Sequence, residues 1–311
     1  MTPKQELQDA LLDPCWQLWT LAGVRGTETR KALGVPVALE ELMLLTAQLG
    51  ERDPRLRDEA LDWCVKNHRF IARARLKTLL ARLPQNGRRT FGPWVAAMRE
   101  HVGGNWPDVK GPVEQQVRLS GKSTEPDLGR PELIHLRLRA LFGVGARADV
   151  IGATLAWPSP TFIASELTYL GYSKRNLSTV LDWLVSGGLL GSVSAGNQLR
   201  FSWKRRTQLV ALISPLPKFL PRWPLLLELL SVLLDLVSSN EGKSDRVASV
   251  SAAKAFSALQ GPLNTLGLEP PRGKPASWTE HCSWIVDKVI ALREGTSRML
   301  HSGTAMPGDR R

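Results

Sequence analysis

Cysteine is scarce in this sequence. The three present, Cys15, Cys64 and Cys282, form no Cys-x-x-Cys pair, which argues against a disulfide framework or a cysteine zinc site and fits a reducing compartment. The histidines, His68, His101, His135, His281 and His301, share no metal-ligand spacing, so no metal is expected. Long apolar runs are missing too: the longest, residues 223–237, is broken by Glu228 and Asp235 well short of the roughly 20 residues a bilayer needs. That run is expected to be a buried helix, and no membrane partner is expected. The opening MTPKQELQDALLD carries acids and lacks an apolar signal-peptide core, so the sequence predicts a cytoplasmic location. Strand-like alternation is absent from the first hundred residues, and no internal repeat occurs.

Positive charge is plentiful. Lys and Arg number 41 against 29 Asp and Glu, giving a net charge of +12, which favours a polyanionic partner, nucleic acid or an acidic membrane surface. A hydrophobic share of 43% is that of a folded globular chain, and 311 residues suggest two or three domains.

The expected architecture is mainly α. Residues 1–102 form a helical N-terminal domain. Ala38, Leu39, Leu42, Leu45 and Leu49 recur at helical spacing before Gly50, Asp53 and Pro54 start a second helix, and a third spans residues 68–83 up to Pro84. Residues 103–131, GGNWPDVKGPVEQQVRLSGKSTEPDLGRP, are rich in structure-breaking residues and form an expected linker. Residues 132–205 make a central domain, and residues 206–311 a helical C-terminal domain for dimerisation or partner binding. Its helices centre on residues 225–237, 244–266 and 277–293, with fraying from about Ser302.

The central domain carries the most specific pattern. Ser159 and Pro160 have the form of an N-cap and first helical position, opening a short helix through Ile163, Leu167 and Leu170 that Gly171 ends. Ser173 can cap the next helix, whose Leu177, Val180, Leu181 and Leu184 fall on one face. Lys174, Arg175, Asn176, Ser178 and Thr179 occupy its other and N-terminal surfaces. After Gly187 and Gly188, Leu199, Phe201 and Trp203 alternate with Gln198, Arg200, Ser202 and Lys204, the pattern of a half-buried strand. Gly196 and Asn197 supply a hairpin turn to a partner strand near residues 189–194.

FIASELTYLGYSKRNLSTVLDWLVSGGLL resembles the recognition unit of bacterial winged helix-turn-helix transcription regulators, and LRLRALFGVGARADV before it looks like their supporting helices. The resemblance extends over about residues 133–204. It implies that residues 173–179 enter the major groove of DNA while the hairpin near residues 195–200 meets the backbone or minor groove. Arg175 and Thr179 are then the expected base readers. Lys174, Asn176 and Ser178, with Ser173, Asn197, Arg200 and Lys204, are expected to position the protein on the duplex.

Other patterns carry less. Lys66, Arg69, Arg73 and Lys77 would form a cationic stripe on one helix, read as a solvated face. Gly121, Lys122 and Ser123 imitate the end of a phosphate-binding loop, but Gln116 stands where its first glycine belongs. His281 beside Cys282 lacks a third group for nucleophilic chemistry. Trp16, Trp19, Trp63, Trp183 and Trp203 fall at apolar positions and are expected to fill cores.

The sequence thus predicts a sequence-specific double-stranded DNA-binding transcription regulator, not an enzyme. No cofactor is implied, and a homodimer is expected, with the long C-terminal helices, especially residues 223–237, as its interface. The alternatives are a helical adaptor, or an antitoxin-like regulatory protein, whose winged helix or flanking helices bind a protein partner.

Overall fold

The computed structural model describes residues 2–26, 34–109, 117–155, 157, 159–217, 219–271 and 277–293. The fraying expected from Ser302 and the position of His301 lie outside them. The protein is mainly α-helical with one two-stranded antiparallel sheet.

Helix α1 (Pro3–Ala22) opens on a reciprocal cap: the Thr2 hydroxyl accepts from the Gln5 N–H while the Gln5 side chain accepts from the Thr2 N–H. Helix α2 (Leu39–Leu49) is buried along its whole length except at Gln48, as befits a central helix. Against it pack α3 (Pro54–Lys66), α4 (Arg73–Arg82) and α5 (Gln85–Arg89), and α6 (Gly92–His101) packs on α3. Asp53 caps α3 by accepting from the Leu56 N–H at 2.9 Å, the start its Asp-Pro pair predicts.

The helix expected over residues 68–83 is divided. A 3-10 turn, His68–Phe70, precedes two extended residues, and α4 begins only at Arg73. Two buried side chains take the backbone groups that a continuous helix would use. The Glu40 carboxylate accepts from the Ala72 N–H at 2.7 Å, and Arg139 donates to the Phe70 carbonyl at 2.8 Å.

Helices α7 (Ile134–Phe142) and α8 (Ala146–Leu155), a 3-10 helix at Ala164–Leu170, α9 (Lys174–Ser186), β1 (Leu190–Ala195), β2 (Gln198–Trp203) and α10 (Arg206–Ile213) gather around a core of their own. The chain then returns to the first body with α11 (Trp223–Ser239), α12 (Asp245–Ala258), α13 (Gln260–Leu266) and α14 (Trp278–Arg293). α11 packs on α1 and α2, and α14 on α1. One core therefore unites the N-terminal helices with α11–α14, where the sequence suggested two separate helical domains. The leucines of α11 are covered by their own chain, so this helix does not offer the homodimer interface expected of it.

The described part of the expected linker is an ordered strap. The Asp62 carboxylate accepts from the Gly121 and Ser123 N–H groups at 2.6 and 3.1 Å, Lys66 donates to the Ser123 carbonyl at 2.7 Å, and the Thr124 N–H donates to the Gly23 carbonyl at 2.9 Å. The cationic stripe is largely spent in the same region: Arg69 pairs with Glu125, and the Arg73 guanidinium lies 4.4 Å from the Trp106 ring centroid.

Candidate nucleic-acid interface

The residues from Phe162 to Lys204 build one surface. Phe162 exchanges both backbone hydrogen bonds with Phe201, at 3.0 and 2.9 Å, and their rings stack at 6.2 Å. This pairing keeps Phe162 extended, so the short helix begins only after Ile163, whose N–H donates to the Glu166 carboxylate at 2.8 Å. The start expected at Ser159 and Pro160 is thus displaced, and the element is 3-10 rather than α. Gly171 ends it with φ +93°, a left-handed conformation that costs other residues energy.

Ser173 does cap α9: its hydroxyl accepts from the Asn176 N–H at 3.2 Å. Leu177, Val180, Leu181 and Leu184 are buried. Lys174, Arg175, Asn176 and Thr179 are exposed with Ser173, while Ser178 is half-buried. Replacing Ser173 by alanine should cost about 1 kcal/mol, measurable by urea denaturation; a change of a few tenths would show that the cap contributes little.

The hairpin places Gly196 at φ +59° in its two-residue turn, with Ala195 opposite Gln198. Asn197, Arg200 and Lys204 are exposed along it, as is Arg205, which lay outside the expected set. Strand β2 departs from the expected alternation. Phe201 is buried and Trp203 donates to the Thr154 carbonyl at 3.0 Å, but Leu199 is 51% exposed. Only the hairpin's base overlies the core; its tip projects past it. Trp183 is a second departure. It is 55% exposed, with the Arg147 guanidinium 5.1 Å from its ring centroid, and follows Arg175 and Thr179 at four-residue steps along one face. Trp19 and Trp63 are core residues as expected, whereas Trp16 and Trp203 are half-buried.

Among the described residues, Lys174, Arg175, Arg200 and Lys204 make no ion pair with a carboxylate. Their charge is left to attract an external anion. The first turn of α9 adds backbone N–H groups and the positive end of its dipole.

The first body fixes this surface from behind. Arg75 donates through Nε to the Leu170 carbonyl at 2.9 Å, and Arg82 donates to the carbonyls of Tyr169 and Thr168 at 2.8 and 3.0 Å. Both therefore grip the segment that leads into Gly171. Arg75 belongs to a buried cluster with Glu40, Glu41, Arg139 and Asp149. Arg139 reaches both Glu40 oxygens at 2.7 Å, and Tyr172 donates its hydroxyl to Asp149 at 2.7 Å. Burial alone would raise the Glu40 and Asp149 pKa values, but Arg139 and Arg75 outweigh it and hold both carboxyls below their ordinary range. Two acids inside the apolar run of α2 were the available sequence signal for this cluster.

Among the described residues, no group of histidine, cysteine and carboxylate side chains is arranged to hold a metal, and no helix is long and apolar enough to cross a membrane. His281 stacks on Phe256 at 5.3 Å, and burial pushes the Cys282 thiol up to about 11, the condition of a packed thiol rather than a nucleophile. Comparison with protein-family models, with curated proteins and with solved structures finds no match to this chain.

Proposed function

We propose that this protein binds double-stranded DNA in a sequence-specific manner, with α9 in the major groove and the β1–β2 hairpin against the backbone, and acts as a transcription regulator. The observation that carries the reading is the division of α9: its leucines are buried, while Lys174, Arg175, Asn176 and Thr179 stand exposed and uncovered by any other described part of the chain. A groove about 12 Å wide admits one helix of this kind. Arg175 is suited to a guanine edge. Thr179 donates its hydroxyl proton to the Arg175 carbonyl at 3.1 Å, so it offers a base its oxygen lone pairs and its methyl group. Two-fold repetition on a palindromic site would extend the few base pairs one helix reads, through a surface other than α11.

One observation favours a rival. The exposed indole of Trp183 on α9 suits a protein contact, as in an adaptor or an antitoxin-like regulator. A salt titration of duplex binding separates the two: several phosphate contacts give a steep log-log loss of affinity, whereas an adaptor shows little binding at any salt. Arg175→Ala should then weaken binding by about 1–3 kcal/mol and relax base preference, while Lys204→Ala weakens all sequences alike. Unchanged affinity in both variants would overturn the reading.

A further inference from the structure

A cavity of about 50 Å³ lies at the junction of the two bodies, between α2, α4, α7, α8 and the residues that lead into α11. One wall is the charged cluster, where Glu40, Glu41 and Asp149 set three carboxylates against the Arg75 and Arg139 guanidinium groups, leaving one negative charge in excess. The other wall is cationic. There the Arg222 guanidinium lies 5.4 Å from the Trp157 ring centroid and 5.6 Å from that of Tyr169. Among the described residues no carboxylate pairs with it and no acceptor takes its N–H groups. A guanidinium held against aromatic rings keeps its planar edge free for a bidentate anion.

Two more residues that line the cavity carry side-chain nitrogens without partners among the described residues. The buried Trp223 indole N–H has none, and the His135 ring, which also lines the cavity, makes no hydrogen bond there. Burial holds His135 down to about 4, so at neutral pH it is an uncharged group able to donate or accept one hydrogen bond. The unmet groups are thus mainly donors, with one unpaired positive charge at Arg222. Each water needs roughly 10–15 Å³ of such space, so the cavity suits a ligand of roughly three to five non-hydrogen atoms. Leu39, Leu170 and Leu220 supply an apolar side to it.

We propose that this cavity binds a small aliphatic monocarboxylate, its carboxylate on the Arg222 edge and its short tail against Leu39, Leu170 and Leu220, and that occupancy alters duplex binding by α9. The route is short. Leu170 lines the cavity and its carbonyl is held by Arg75, one residue before the Gly171 turn into α9. The coupling rests on the DNA-binding reading above; the binding site does not.

The test uses the full chain with acetate, propionate and butyrate, against sodium chloride and sodium phosphate at equal ionic strength. Isothermal titration should give saturable binding of acetate or propionate, with butyrate too long to enter. The melting temperature should rise by about 3 °C at ten times the dissociation constant. Arg222→Gln should abolish both effects, and Ala153→Leu, which fills the cavity while leaving every charge in place, should do the same. Equal responses in wild type and both variants, preference for phosphate, or no binding would overturn the site. Duplex affinity is then measured with and without propionate, and a change of about fivefold or more is expected. Carboxylate binding with unchanged duplex affinity overturns the coupling alone. Carboxylate binding without duplex affinity in either state overturns the DNA reading and the coupling but leaves the site standing.

Discussion

Replacing Glu40 by alanine should destabilise the protein by about 3–5 kcal/mol, the usual cost of stripping one partner from a buried ion pair. Glu40 is fully buried and accepts four hydrogen bonds, from the Ala72 N–H, from Arg75, and two from Arg139, all at 2.7 Å. Without it, Arg139 keeps the Phe70 carbonyl and, as its one carboxylate among the described residues, Asp149 at 3.2 Å or more, and the Ala72 N–H is left buried and unmet. Glutamine is no remedy, because its amide N–H₂ would face a guanidinium donor. The loss should be greatest where the two bodies meet, since Glu40 stands on α2 and Arg139 on α7. Urea denaturation measures the energy, and limited proteolysis should show the segment carrying α9 cleaved first. A cost below 1 kcal/mol would mean that apolar packing holds the junction by itself.

Three carboxylates face two guanidinium groups here, so the cluster relies on the Tyr172 hydroxyl and the Ala72 N–H to serve its extra negative charge. Substituting Glu40, Glu41, Arg75, Arg139 and Asp149 together with apolar residues of similar volume, so that no buried charge is left without a partner, should recover part of the stability lost by Glu40→Ala. Arg75 and Asp149 also grip the α9 turn, through the Leu170 carbonyl and the Tyr172 hydroxyl.

The α9 surface was legible because its determinants are local. A Ser173 cap, leucine spacing that repeats each helical turn, and a Gly196-Asn197 turn each act within a few residues, and the structure contains all three. What was not legible depends on partners distant in sequence. Glu40 meets Arg139 across 99 positions, and their joint claim on the backbone at Phe70 and Ala72 divides a helix that its own sequence would continue. Ser159 and Pro160 look like a helix start, but the pairing of Phe162 with Phe201 imposes extended backbone just after them. Trp183 and Leu199 mislead for a different reason. Periodicity marks which residues share a face, but how far the core extends beneath that face is set by tertiary packing, and the core stops short of both. The shared core of α1–α6 with α11–α14 has the same origin: amphipathic helices state that they need covering, not which part of the chain covers them.

The junction should also make the protein sensitive to acid in a defined window. Burial pushes the His135 imidazole down to about 4, against the opposing pull of Asp149 and Glu40 and with the help of Arg139 and Arg75. In the unfolded chain the ring titrates near its ordinary value of about 6.5. Above that pH both states carry a neutral ring and His135 adds no pH dependence. Between about 6.5 and 4 the unfolded state binds a proton that the folded state refuses, so stability falls as pH falls, by about 3 kcal/mol over the window. Glu40 and Asp149, held below the ordinary carboxylate range by the arginines, contribute stability that is lost only further down, as pH drops through the carboxylate range and below. Acid unfolding should therefore proceed in two limbs, with His135 governing the upper one. His135→Leu should flatten the stability profile between pH 6.5 and 5 and leave the lower limb in place, as read from urea midpoints at half-unit pH steps. Parallel wild-type and variant profiles across that interval would remove His135 from the account and leave the carboxylates as the sole source of acid sensitivity at the junction.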